Sequence, residues 1–141
     1  MFTHILVAAD GSEHSFRACE KAAELASLAE RNAVVELLHV EMRSRSVTDE
    51  LEDEKPHPPA EEQQELFDEY KKVDIGPAEW KETVIMEREN VASSIIDYTK
   101  ESGADILVIG SRGRSSLQTM VLGSVSHKVM KYVEVPVLIV K

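Results

Sequence analysis

Cysteine is nearly absent from this chain. Cys19 stands alone among 141 residues, so no internal disulfide can form and no multi-thiolate metal site can be built. Long apolar runs are missing as well: no stretch approaches the length that spans a bilayer, and the opening Met1-Phe2-Thr3-His4-Ile5-Leu6-Val7 lacks the basic start and extended apolar core of a signal peptide. The expectation is a protein of the reducing cytoplasm with no membrane partner. Positive charge is in deficit, with 16 Lys and Arg against 26 Asp and Glu and a formal net charge of −10. Such a surface repels a phosphate backbone, which argues against nucleic acid as a partner. A Gly-x-x-x-x-Gly-Lys-Ser/Thr phosphate loop is also lacking, and His4, His14 and His57 share no metal-ligating spacing with His39.

What is present suits one domain over residues 1–141, since 43% hydrophobic content in this length fills one core and not two. Strand-like and helix-like segments alternate. Ile5 to Ala9 is a short apolar run ending at Asp10-Gly11-Ser12, and Ser12 is placed to cap a helix running to about Arg31. Along that helix Phe16, Cys19, Ala23, Ala26 and Ala29 recur at helical spacing, which makes Cys19 a small core hydrophobe. Val34 to Val40 reads as a second strand with His39 packed in it, and Glu82 to Met86 as a weaker third. Between them, residues 42–59 carry Arg43, Arg45, the acidic run Asp49 to Glu54 and three prolines, a composition expected to form a mobile polar loop. An acidic helix follows from Ala60 to Val73, with Leu66, Tyr70 and Val73 as its apolar stripe. Asn90 caps a further helix carrying Val91, Ile95 and Tyr98, which stops at Gly103 before the strand Ile106 to Ile109. A last helix and the strand Val135 to Val140 complete the chain.

Near-continuous apolar strands alternating with helices imply an α/β fold, a doubly wound domain whose parallel sheet is covered by helices on both faces. Five strands in the order 3-2-1-4-5 are expected. Ligands of such sheets lie beyond the carboxyl ends of the strands, which is where Asp10, Val40 and Gly110 fall. Behind the fourth strand, Gly110-Ser111-Arg112-Gly113 is followed after nine residues by Gly123-Ser124. Tight glycine turns leaving a strand, then a glycine-serine pair opening a helix, gather unpaired backbone N–H groups around one concavity and point to a phosphate-bearing ligand.

Taken together, Val-Ala-Ala-Asp-Gly-Ser-Glu-His-Ser, Leu-Leu-His-Val, Ala-Asp-Ile-Leu-Val-Ile-Gly-Ser-Arg-Gly-Arg-Ser, Leu-Gly-Ser-Val-Ser-His-Lys-Val and Val-Pro-Val-Leu-Ile-Val resemble the universal stress proteins. The likeness covers the chain except for about Met42 to Trp80. Within that family, Gly, two residues, Gly, nine residues and Gly-Ser mark the branch that binds ATP, and Gly110, Gly113, Gly123 and Ser124 match it. The resemblance implies ATP, with or without Mg2+, as cofactor. It places Ala9 and Asp10 at the nucleoside or its metal, Val40 at adenine through its backbone, and Gly110 and Gly113 against ribose and phosphate. Gly123, Ser124, Val125 and Ser126 would donate to phosphate at a helix start. Arg112 and Arg114 either add charge to the phosphates or stand as solvated loop residues, and Asp10 has the alternative of only stabilising its turn. His127 and Lys128 are expected on the helix surface.

A nucleotide-binding regulatory protein of the stress response is the favoured function, because a site of backbone donors needs no catalytic base. The alternative is a slow ATP hydrolase or nucleotidyl transferase, for which no His-centred pair is evident. The loop at 42–59 has a second use in closing over the nucleotide, with Arg43 or Arg45 at phosphate. The apolar run Val135 to Val140, if it forms a sheet edge, invites a homodimer, which the resemblance also suggests; an unidentified protein partner is left open.

Overall fold

Alternate side chains of the first strand, His4–Ala8 (β1), leave on opposite faces and start two separate cores. The computed structural model describes residues 2–29, 32–42, 56–87, 89–113 and 122–141. On one face Ile5 and Val7 meet Ala18, Ala22 and Ala26 of α1 (Glu13–Ser27) and Phe67 and Tyr70 of α2 (Glu61–Tyr70). On the other, Leu6 and Ala8 meet Ile95 and Tyr98 of α3 (Val91–Ser102) and Val129 of α4 (Ser124–Tyr132). Helices therefore cover both faces, as the unbroken apolar strands require.

The remaining strands are β2 (Val34–Met42), β3 (Glu79–Glu87), β4 (Ile106–Gly110) and β5 (Val137–Val140), all parallel, in the order β3-β2-β1-β4-β5. The expected architecture and strand order are those observed. Winding reverses beside β1, so the loops after β1 and β4 diverge and leave a crevice at their carboxyl ends.

Boundaries differ where backbone bonding outweighs side-chain pattern. Helix α1 stops at Ser27, because Leu28 and Ala29 bond to Leu25 and Ala26 three residues back and tighten the last turn. Strand β3 is longer than the expected run, since Glu79 to Lys81 pair in register with Val34 to Glu36 and Trp80 packs against the core. Strand β5 is shorter, because Pro136 has no N–H to contribute to a ladder. On α2 the buried positions are Gln63, Phe67 and Tyr70, while Leu66 and Val73 pack at the margin of that core. The expected 42–59 loop also narrows. Met42 closes β2, and His57 exchanges two backbone bonds of 2.9 and 3.0 Å with Val84 on the free edge of β3. Arg43, Arg45 and the acidic run Asp49 to Glu54 lie outside the described residues.

Among the described residues one carboxylate sits fully inside. Glu36 of β2 is 0% exposed and is satisfied by His4 Nε2 at 2.7 Å, Thr83 Oγ1 at 2.7 Å and the Tyr98 hydroxyl at 2.5 Å. Burial of a charge is tolerated only with such partners. No helix among the described residues is long and apolar enough to cross a membrane.

Candidate functional site

Asp10 follows β1 directly and enters the turn that starts α1. Its Oδ1 accepts both the backbone N–H of Ser12 at 2.9 Å and the Ser12 hydroxyl at 2.5 Å, while Ser12 Oγ in turn accepts the N–H of Ser15 at 3.1 Å. Ser12 is thus the N-cap of α1 and also fixes the Asp10 carboxylate. Gly11, at φ 84°, gives the turn its left-handed residue. The second oxygen, Oδ2, turns toward Gly113, where an added Cβ would come within 2.8 Å of it.

Gly110 ends β4 and lines the crevice, but the side on which a Cβ would stand is against α1. A Cβ there would lie 2.6 Å from His14 Cβ and 2.9 Å from the His14 carbonyl carbon. The two glycines of the motif are therefore small for different reasons: Gly110 lets a helix approach the sheet, and Gly113 leaves room for a carboxylate.

The start of α4 is tied to the same corner. Gly123 is its N-cap and donates to the Ser111 carbonyl at 2.7 Å, and the buried Ser126 hydroxyl donates to the Gly110 carbonyl at 2.7 Å. The Gly123 N–H and the Ser126 hydroxyl, expected to face phosphate, are thus spent on protein acceptors, because the helix has to be anchored before its N-terminus can point at anything. The backbone N–H groups of Ser124 and Val125 have no acceptor among the described residues, as the first turn of a helix dictates.

These elements enclose a cavity of about 240 Å³ beyond the carboxyl ends of the strands. Asp10, Val40, Gly110, Arg112, Gly113 and Gly123 to Ser126 all line it. Ala8, Val40, Val91, Ile95 and Ile109 give it an apolar wall, and Asp10 and Arg112 are its charged side chains among the described residues. A recess of about 260 Å³ adjoins it, sharing Val91, Ser124 and Val125 and adding Met42, Asn90 and Lys128. The positive end of the α4 dipole faces the same space.

Ala9 does not line this cavity. It is 1% exposed and packs on the α1 and α2 face, because alternation along the strand sends it away from Ala8. Its carbonyl accepts His39 Nδ1 at 2.7 Å, so His39 is a packed, bonded side chain. Arg114 lies outside the described residues. His127 and Lys128 are exposed on α4. Cys19 is buried, with its thiol pushed up to about 12 by burial and then by Glu20, so it is no thiolate. Among the described residues no group of three or more His, Cys, Asp or Glu is placed to cage a metal.

Several contributors were not legible as site residues. Ser15, Val91 and Ile95 line the cavity, although the last two read only as an amphipathic stripe; their place in the first turns of α3, just past β3, was the available signal. Tyr70 reaches the Asp10 turn from the connection between β2 and β3, with its hydroxyl 2.8 Å from Gly11 N and 2.5 Å from Ser15 Oγ. His14 bonds both Ser111 Oγ and Arg112. Neither contact has a signature in local sequence.

A larger hollow of about 580 Å³, lined by Ile96, Thr99, Lys100, Ala104, Tyr132 and Val133, lies before β4 and β5. It is at the amino ends of the strands, beside the Gly103 turn that ends α3, and volume alone does not make it the site.

Comparison with known proteins gives the chain a family and agrees with its fold. The family model described as the universal stress protein family matches residues 1–141. Universal stress protein YxiE of Bacillus subtilis is 35% identical over the full length of both chains, and universal stress protein MJ0531 of Methanocaldococcus jannaschii is 31% identical over all of this chain and 83% of its own. Among solved structures, the MJ0577 protein superposes with a TM-score of 0.78 at 26% identity, covering 100% of this chain and 96% of that one. Two others match in fold: a universal stress protein in complex with cAMP (TM-score 0.66, 24% identity, 99% and 96% coverage) and one from Archaeoglobus fulgidus in complex with dAMP (0.65, 23%, 100% and 98%). From the match along its whole length, the chain belongs to the universal stress protein family.

Proposed function

We propose that this protein binds an adenine nucleotide, ATP, at the carboxyl ends of β1, β2 and β4, and serves as a nucleotide-dependent regulator in the stress response. The observation that carries the proposal is the convergence of Asp10, Val40, Arg112, Gly113 and the α4 N-terminus on one cavity. An apolar wall beside Val40 suits a purine, and the open N–H groups of Ser124 and Val125 suit phosphate. That related proteins have been solved with cAMP and dAMP supports the adenine class. Magnesium would arrive on the phosphates, with Asp10 the carboxylate beside it.

Binding is favoured over turnover because the cavity presents donors and apolar surface and, among the described residues that line it, no imidazole. Two further parts of the proposal concern assembly and place. Strand β5 is a sheet edge with apolar Val137 to Val140, so it pairs with a second copy in a homodimer. The lone buried Cys19 suits the reducing cytoplasm.

Mass analysis of small molecules released from freshly purified protein, followed by ATP titration, tests the central claim. Retained adenine nucleotide or saturable binding is expected. Absence of both overturns it, and turnover faster than about one per minute would move the function toward an enzyme. Monomer at micromolar concentration in a sizing experiment would overturn the dimer.

A further inference from the structure

We propose that His14 is a positioning residue: it holds the Arg112 guanidinium at the cavity wall by accepting one of its N–H bonds on the imidazole Nε2. The effect on ligand binding rests on the adenine-nucleotide function proposed above; the geometry does not. Arg112 Nη2 lies 3.2 Å from His14 Nε2, and His14 Nδ1 lies 3.0 Å from Ser111 Oγ. A guanidinium has donors only and keeps its charge, so Nε2 must accept. An imidazole that accepts on Nε2 and still bonds through Nδ1 is neutral and carries its one proton on Nδ1, which it donates to Ser111 Oγ. The two contacts together assign both the tautomer and the charge of the ring.

The ring has little freedom to do otherwise. Ser111 is 3% exposed, and Gly110 gives up its side chain where the Cβ of His14 stands. His14 is the second residue of α1, so the same helix that Ser12 caps beside Asp10 also carries the arginine's acceptor. Arg112 is the one cationic side chain among the described residues lining the cavity, in a chain of net charge −10. A long side chain held in place before the ligand arrives loses less rotamer freedom on binding phosphate. The same tautomer separates this His–Ser pair from a nucleophile and its base. His14 donates to the Ser111 hydroxyl, and a general base would have to accept from it.

Two substitutions and one spectroscopic measurement test the assignment. His14→Ala keeps the Cβ that packs on Gly110 but removes the acceptor, and His14→Gln restores an acceptor near the position of Nε2. With ATP and adenosine titrated in parallel, His14→Ala is expected to weaken ATP by about tenfold and leave adenosine unchanged, with His14→Gln recovering most of the loss. In the nucleotide-free protein, the imidazole nitrogen shifts are expected to show a protonated Nδ1 and an unprotonated Nε2, the latter moving in Arg112→Ala. No loss of ATP affinity, an equal loss for ATP and adenosine, or a proton on Nε2 overturns the proposal. If the wild type binds neither ligand, the nucleotide function fails by itself and the nitrogen shifts decide His14.

Discussion

The hydroxyl oxygen of Tyr70 accepts the N–H of Gly11 at 2.8 Å across 59 residues of sequence, and so joins the last residue of α2 to the turn that carries Asp10. The same oxygen lies 2.5 Å from Ser15 Oγ, and the ring stacks on Phe16 with centroids 4.2 Å apart. Helix α2 lies in the stretch from about Met42 to Trp80 that carries none of the motifs quoted for the family resemblance. It nevertheless braces the most exposed charged group of the site.

Tyr70→Phe removes only that oxygen. It is expected to strand a backbone N–H and loosen the Asp10 turn, costing about 1–3 kcal/mol in stability by denaturant unfolding. A several-fold loss of nucleotide affinity accompanies it. Unchanged affinity in the folded variant would show that α2 does not control Asp10.

The two motif glycines part company under substitution. Gly110→Ala drives a Cβ to 2.6 Å from His14 Cβ and 2.9 Å from backbone, neither of which can swing away, so a stability loss of about 1–3 kcal/mol or more is expected. Gly113→Val meets the end of the Asp10 side chain at 2.8 Å, which can move. The expected result is a folded protein with a displaced carboxylate and weakened nucleotide binding. Thermal melts and ligand titration of both variants separate these outcomes; a Gly113→Val protein with wild-type affinity would refute the second.

Alkaline titration tests the two buried tyrosines. Burial pushes both the Tyr70 and Tyr98 hydroxyls up to about 12, with the Glu36 carboxylate adding to the shift at Tyr98. Both values are raised above the unfolded value near ~10, so the stability they contribute is complete below that pH and is lost as pH rises through about 12. Tyrosinate absorbance followed beside circular dichroism should show these two ionising only as the fold is lost. Ionisation of all three tyrosines in one early step, with secondary structure intact, would contradict the burial.

On the acid side, Asp105 ties the chain start to β4. Its Oδ2 accepts Thr3 N at 2.9 Å, His4 N at 2.9 Å and Thr3 Oγ1 at 3.0 Å, and the Thr3 backbone bond leads in holding the carboxyl below its ordinary range. A depressed value contributes stability above the unfolded pKa that disappears as pH falls through the folded one. Asp105→Asn should flatten that part of the acid unfolding curve and speed hydrogen exchange at Thr3 and His4. An unaltered curve and unaltered exchange would mean the strand start is held by other bonds.

Sequence was sufficient for the alternation of elements, the parallel order 3-2-1-4-5 and the clustering of Asp10, Val40 and the glycine motif at one end of the sheet. The elements and their shared end follow from information local in the chain, since apolar runs set strands, caps and glycines set turns, and parallel crossovers bring the carboxyl ends together. The order 3-2-1-4-5, by contrast, is what the family resemblance implies. Tertiary structure decided what each group touches. Gly110 faces His14, Ala9 turns into the opposite core, Ser126 spends its hydroxyl on Gly110, and Tyr70 and His14 reach the site from positions that no local pattern marks. Those contacts join residues 16 to 97 apart in sequence, and a hydrogen bond is set by angstrom-scale approach between packed elements, which spacing along the chain does not encode.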